Sequence, residues 1–118
     1  MKSTFLICIC VIFAGPAMAF ERVTDRDAFT ILMAGHDIKR PLVRLTVTDN
    51  GQIAGRGFGR AITGEWQWLD GYFCRSMNWG REPLPYNCQA VYADGVNIRF
   101  RSDKGTGDYA DFRRIPTQ

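Results

Sequence analysis

The chain has 118 residues, of which 46% are hydrophobic and 13% aromatic, and carries a formal net charge of +3. That length makes one small domain and excludes a two-lobed cofactor enzyme, while the apolar content excludes a disordered chain. The charge excess is too small to name a partner by itself.

Residues 1–19 read as a secretory signal peptide. Lys2 supplies the positive start, and Phe5–Phe13 is an unbroken apolar run. Gly15-Pro16 breaks the helix, and Ala17-Met18-Ala19 puts small residues at the positions a signal peptidase reads. The run is too short to span a bilayer. Cleavage after Ala19 is expected, leaving 20–118 as a single periplasmic or secreted domain. Cys8 and Cys10 lack the preceding small residues of a lipoprotein signal. No later segment is apolar enough for stable membrane insertion. Outside the cytosol there is no pool of ATP or NAD(P)H, and thiols oxidise; no cofactor is expected.

Thr24-Asp25-Arg26-Asp27 opens the one helical pattern, with Thr24 as the expected cap and Asp27 answering it. Phe29, Leu32 and Met33 share one helical face, and Gly35 suits the stop. The spacing predicts a helix over about 25–34. His36 follows, beside Gly35 and Asp37, as a loop or surface residue; it lacks an obvious nucleophile, and a zinc site would need more nitrogen or sulfur ligands than remain free.

After Pro41 the apolar period becomes two. Val43, Leu45 and Val47 alternate with polar residues, and Asp49-Asn50-Gly51 marks a hairpin. A strand through Gln52–Phe58 follows, weakened by Gly55, Gly57 and Gly59, which suit bulges or bends in a curling sheet. Ile62, Gly64, Trp66 and Trp68 share one strand face, with core filling the expectation for the two tryptophans. Asp70-Gly71 turns the chain into Tyr72–Trp79, and Leu84–Tyr92 returns. Outside the signal only Cys74 and Cys88 remain, so one pairing is possible. In an antiparallel pair opposed residue numbers sum to a constant. Pairing these two therefore centres a turn on Arg81, within Gly80-Arg81-Glu82-Pro83, and predicts a structural disulfide. Asp94-Gly95 leads into Val96–Arg101, and Lys104-Gly105-Thr106-Gly107 turns the chain into Tyr109–Ile115, with 116–118 as a loose tail.

About seven strands with short connections demand antiparallel neighbours. No second helix covers a flat sheet, and closure hides the edges. The expected class is all-β with one short N-terminal helix: a small antiparallel up-and-down β-barrel (calycin-like), the helix plugging or flanking one end. A two-sheet sandwich is the alternative.

Several motifs invite chemistry. Gly55-Arg56-Gly57-Phe58-Gly59 lacks the strand–helix setting and glycine spacing of a phosphate loop. Asp103, Asp108 and Asp111 do not follow calcium-loop spacing and read as turn formers. Glu65 and Asp70 have nothing beside them to position a sugar. Arginine outnumbers lysine twelve to two after residue 19, and its fork suits carboxylates and phosphates. Arg75, Arg99 and Arg101 are candidate anion binders, with solvated or ion-paired strand faces as the bland reading; Arg113 and Arg114 lie on the next strand. Trp79 and Tyr86, near the hairpin tip, are candidates for ligand or protein contact.

Asp49-Asn50-Gly51-x-Ile53-x-Gly55, Gly64-x-Trp66-x-Trp68-x-Asp70-Gly71-Tyr72-x-Cys74-Arg75, Trp79, Asn87-Cys88-Gln89 and Arg99-Phe100-x-Ser102-Asp103-x-Gly105-x-Gly107 form a recurring pattern. It resembles a group of short secreted alphaproteobacterial proteins whose members often carry the name dihydrodipicolinate reductase. The resemblance spans about two-thirds of the chain after residue 19. It implies an envelope location and a β-barrel, and it carries over no catalytic residue. The activity in that name requires a Rossmann domain for NAD(P)H and a second domain for substrate; this chain has neither the length nor the element pattern for them.

The expectation is therefore a non-catalytic exported barrel that binds a small anionic or aromatic molecule through Arg75, Trp79, Tyr86, Arg99 and Arg101. The alternative is a module binding an envelope protein, such as an inhibitor of a cell-wall-degrading enzyme, through the 79–86 hairpin tip. Neither reading involves a metal or nucleic acid.

Overall fold

The computed structural model describes residues 3–10 and 19–117. The Gly15-Pro16 break and Ala17-Met18 of the expected signal lie outside the described residues. Residues 3–10 are exposed and carry no regular structure. Among the described residues every helix and strand lies within Glu21–Pro116.

The described residues form nine strands: β1 (Glu21–Val23), β2 (His36–Arg40), β3 (Val43–Val47), β4 (Gln52–Gly57), β5 (Arg60–Leu69), β6 (Tyr72–Trp79), β7 (Glu82–Asp94), β8 (Asn97–Arg101) and β9 (Tyr109–Pro116). Strands β2 to β9 pair each with the next, always antiparallel, and β9 pairs back with β2. The result is an eight-stranded, closed up-and-down barrel, with β1 outside the ring on β7. Closure removes the sheet's open edges, which a meander with so little helix must otherwise leave bare.

The count of about seven strands is corrected. Strand β2 contains His36, expected in a loop; Ile38 and Leu45 oppose each other across β2–β3, and short polar-flanked strands of this kind carry too weak a period-two pattern to stand out. The tail is corrected as well. Pro116 belongs to β9, and the Thr117 N–H donates to the Gly35 carbonyl at 3.0 Å.

Helix α1 (Arg26–Met33) is capped by Asp25, whose carboxylate accepts from the Ala28 N–H at 2.8 Å. Thr24, the expected cap, lies one residue too early. Phe29 is 0% exposed. Its ring lies 5.2 Å from Trp66, 5.3 Å from Trp68 and 5.1 Å from Phe73, so the helix plugs one barrel end with aromatic surface. Arg26 anchors the helix start by donating to the Asp49 carbonyl at 2.6 Å. Arg114 donates to the Leu32 carbonyl at 3.2 Å and the Gly95 carbonyl at 2.7 Å, placing a cation at the helix end that favours one.

Glycine permits the tight curl of the wall. A Cβ on Gly55 would sit 2.0 Å from the Arg44 carbonyl oxygen, and one on Gly64 would sit 2.4 Å from that of Ser76. Neither backbone can approach so closely past a side chain.

Cys74 and Cys88 are directly opposed on β6 and β7 and form the expected disulfide. The turn differs by half a residue. Trp79 opposes Glu82, so the turn is Gly80-Arg81 alone, and a bulge between Arg75 and Met77 absorbs the extra residue before Cys88. Strand β7 is longer than its hydrophobic pattern suggests. It runs through Pro83 and Pro85, where only the β6 side is laddered, and turns to pair with β8 from Ala90 onward. Prolines suit such an edge because they offer no N–H to a stray strand.

Candidate functional site

On β5 and β6, opposed pairs run Trp68–Phe73, Trp66–Arg75, Gly64–Met77 and Ile62–Trp79. Opposed residues share a face. Trp66 and Phe73 are buried in the core, so this face is the interior, as expected for Trp66 and Trp68. Arg75 therefore enters the barrel between Phe73 and Met77.

An interior cavity of about 160 Å³ lies below the aromatic plug. Ile38, Leu45, Phe73, Met77, Phe100 and Phe112 make its apolar wall, and Arg75 and Gln89 are its polar members. The Arg75 guanidinium is half-buried, and its Nη1 donates to the Pro85 carbonyl at 2.6 Å. Burial pushes its pKa down. Among the described residues the ion pairs are Arg44–Asp37 and Arg99–Asp111; no carboxylate pairs with Arg75. Charges held away from water are ordinarily paired.

The other candidates do not join it. Trp79 faces inward at the far end of β6, half-buried; its Nε1 donates to the Gly57 carbonyl at 2.7 Å and the Arg60 guanidinium covers its ring at 4.1 Å. Tyr86 is 62% exposed on the outside, its hydroxyl near the Cys88 sulfur. Arg99 and Arg101 share the outer face of β8, where Arg99 forks onto Asp111 at 2.7 and 3.0 Å and Arg101 donates to the Gly107 carbonyl at 2.8 Å. Trp79 and Tyr86 thus do not make one exposed tip, and the arginines do not converge.

Asp37, Asp103 and Asp111 have structural partners. Asp103 lies in a tight turn, Ser102–Gly105, in which Asp103 and Lys104 take left-handed dihedrals. The Asn87 amide holds that turn, donating to the Asp103 carboxylate at 2.8 Å and accepting its N–H at 2.9 Å. Asp37 is buried and accepts from Arg44 at 2.9 Å, Thr46 at 2.8 Å and Thr117 at 3.3 Å. Burial alone would raise its pKa, but the bonds from Thr46 and Arg44, with the Arg44 charge, hold it below the usual carboxylate value. Among the described residues no group of three His, Cys, Asp or Glu side chains is placed to hold a metal. Gly55 and Gly57 sit within β4 and Gly59 in the turn after it, with a strand rather than a helix following. A dinucleotide loop requires the helix.

The wall residues Ile38, Gln89 and Phe112 were not foreseen as site residues. Arg75 had a sequence signal: it falls at the middle of the alternating set Phe73, Arg75, Met77, Trp79. No protein-family model, curated protein or solved structure matches the chain.

Proposed function

We propose that the protein is an exported, non-catalytic barrel that binds a small aromatic monocarboxylate in its interior. The observation that carries this reading is the guanidinium of Arg75, half-buried on an apolar wall with no carboxylate partner among the described residues. A carboxylate entering the cavity would supply the missing counter-charge, and the fork geometry of arginine suits its two oxygens. The rings of Phe73, Phe100 and Phe112 suit an aromatic body. An eight-stranded barrel has room for one small ligand at most. A cavity of about 160 Å³ is close to the size that accepts a benzene ring. Export to the periplasm or beyond is supported by the signal-like first residues and by the Cys74–Cys88 disulfide.

Calorimetric titration of the chain from Phe20 onward with benzoate tests the reading, with benzyl alcohol as the uncharged control. At about 0.6 kcal/mol per non-hydrogen atom, benzoate binds with a Kd of about 0.1 mM. Benzyl alcohol binds at least about tenfold more weakly. Equal affinity for both, or no binding heat and no thermal stabilisation at about 10 mM benzoate, contradicts the proposal.

A further inference from the structure

We propose that the end of the barrel opposite α1 is a docking surface for an anionic lipid bilayer. The up-and-down order brings the β2–β3, β4–β5, β6–β7 and β8–β9 connections to that end, and the first three are tight turns that lie side by side. They are tied into one platform. The Phe58 N–H donates to the Leu42 carbonyl at 2.9 Å, the Trp79 indole to the Gly57 carbonyl at 2.7 Å, and the Gly80 N–H to the Ala61 carbonyl at 2.7 Å.

Two large apolar side chains stand at the tips. Leu42 is 72% exposed and Phe58 is 65% exposed. Single exposed hydrophobes are ordinary. These two are not, because their backbones take φ of +64° and +49°. Turn positions of that kind normally carry Gly, Asn or Asp. Here strain is accepted at neighbouring tips, and at each the residue held outward is apolar. Strained non-glycine residues concentrate where a function requires the side chain.

The surrounding charge names the partner. Arg40, Arg56, Arg60 and Arg81 lie on or beside these three turns, with Glu82 the one carboxylate among residues 40–43, 56–60 and 79–82; the β8–β9 connection adds Asp103 and Asp108 against Lys104, so cations still outnumber carboxylates at this end. None of the four arginines belongs to an ion pair among the described residues. Arg56 donates to the Gly59 carbonyl at 2.8 Å, and Arg60 and Arg40 lie over the Trp79 and Phe112 rings. Two exposed apolar tips flanked by guanidinium groups match the boundary between acyl chains and anionic headgroups. A nucleic acid would engage the arginines and leave Leu42 and Phe58 in water. The proposed contact is peripheral, through the turn tips alone; no described helix is long and apolar enough to cross a membrane. The three tips carry this proposal and the Arg75 cavity does not, so either can fail alone.

Co-sedimentation of the chain from Phe20 onward with vesicles is the test. It binds vesicles containing phosphatidylglycerol and not vesicles of phosphatidylcholine alone, and added salt weakens binding. The double variant Leu42→Gly, Phe58→Gly loses about tenfold or more in partitioning. Its Tm is unchanged or higher, because glycine adopts positive φ without strain, which separates docking from folding. Arg56→Gln and Arg81→Gln each lower partitioning about fivefold. No sedimentation with anionic vesicles, or equal sedimentation of the double variant, overturns the proposal. So does a concentration-dependent dimer that the double variant abolishes in the absence of vesicle binding, an outcome that assigns the surface to a second copy of the chain.

Discussion

Arg75 reaches from the interior face of β6 to the Pro85 carbonyl on β7, bonding at 2.6 Å across the bulge that follows it. That bond orients the guanidinium and leaves its charge uncompensated. Replacing Arg75 with methionine keeps the stem's volume and removes a half-buried unpaired cation. Such replacements are commonly neutral or stabilising. Chemical denaturation of Arg75→Met is therefore expected within about 1 kcal/mol of the wild type, on the stable side. Benzoate affinity falls about 30-fold, the equivalent of about 2 kcal/mol for a charge-assisted contact. Arg99→Met, on the outer face, leaves benzoate affinity unchanged.

The disulfide closes a loop with a sequence separation of 14. In the chain-entropy account a loop of that length contributes about 3 kcal/mol. The Cys74→Ala, Cys88→Ala double variant should lose about that much in urea unfolding. Reductant should then have no further effect on the variant, while it destabilises the wild type by a similar amount.

Much of this molecule was legible before its structure. The barrel followed from the period-two stretches, the short turns and the lack of helices to cover a sheet. The shared face of Trp66 and Trp68 followed from their spacing and their core filling from their bulk, and the Cys74–Cys88 pair from arithmetic that the bulge happened to preserve. Three features were hidden for physical reasons. Strand β2 is held by pairing on both sides with β3 and β9, a non-local cause that leaves little local pattern. The role of Arg75 is set by the inside and outside of a closed ring, and sequence alternation defines faces without saying which is inner. Leu42 and Phe58 violate turn preference, so a reading built on preference passes over them. The arginines Arg99 and Arg101 share a face as their spacing requires, but it is the outer one.

Asp37 makes stability depend on acid. Its carboxyl is held below the ordinary value of 3.8 in the folded chain. A depressed folded pKa contributes stability that is fully present above the unfolded pKa and is lost as pH falls through the folded one. Unfolding free energy should therefore be level with respect to Asp37 above about pH 5 and decline below about pH 4. Asp37→Asn is less stable at neutral pH, by about 2 kcal/mol, and its acid decline is shallower. Urea titrations across pH 3–7 check both, the range bracketing the carboxylate values.

Gly55 and Gly59 separate steric from conformational cost. Alanine at Gly55 must push its Cβ away from a backbone oxygen only 2.0 Å distant, so β3 and β4 must part. The expected loss is about 3 kcal/mol. Gly59 has open space around it but φ of +80°. Alanine there should lose about 1 kcal/mol. Equal losses at the two positions would contradict the close β3–β4 approach.

The central claim is tested most directly by locating bound benzoate in isotope-labelled protein through intermolecular nuclear Overhauser effects. Contacts from the benzoate ring to the methyl groups of Ile38, Leu45 and Val47, all on the cavity wall, are the predicted result. Contacts confined to the outer surface, or none at a concentration well above the measured Kd, would contradict it.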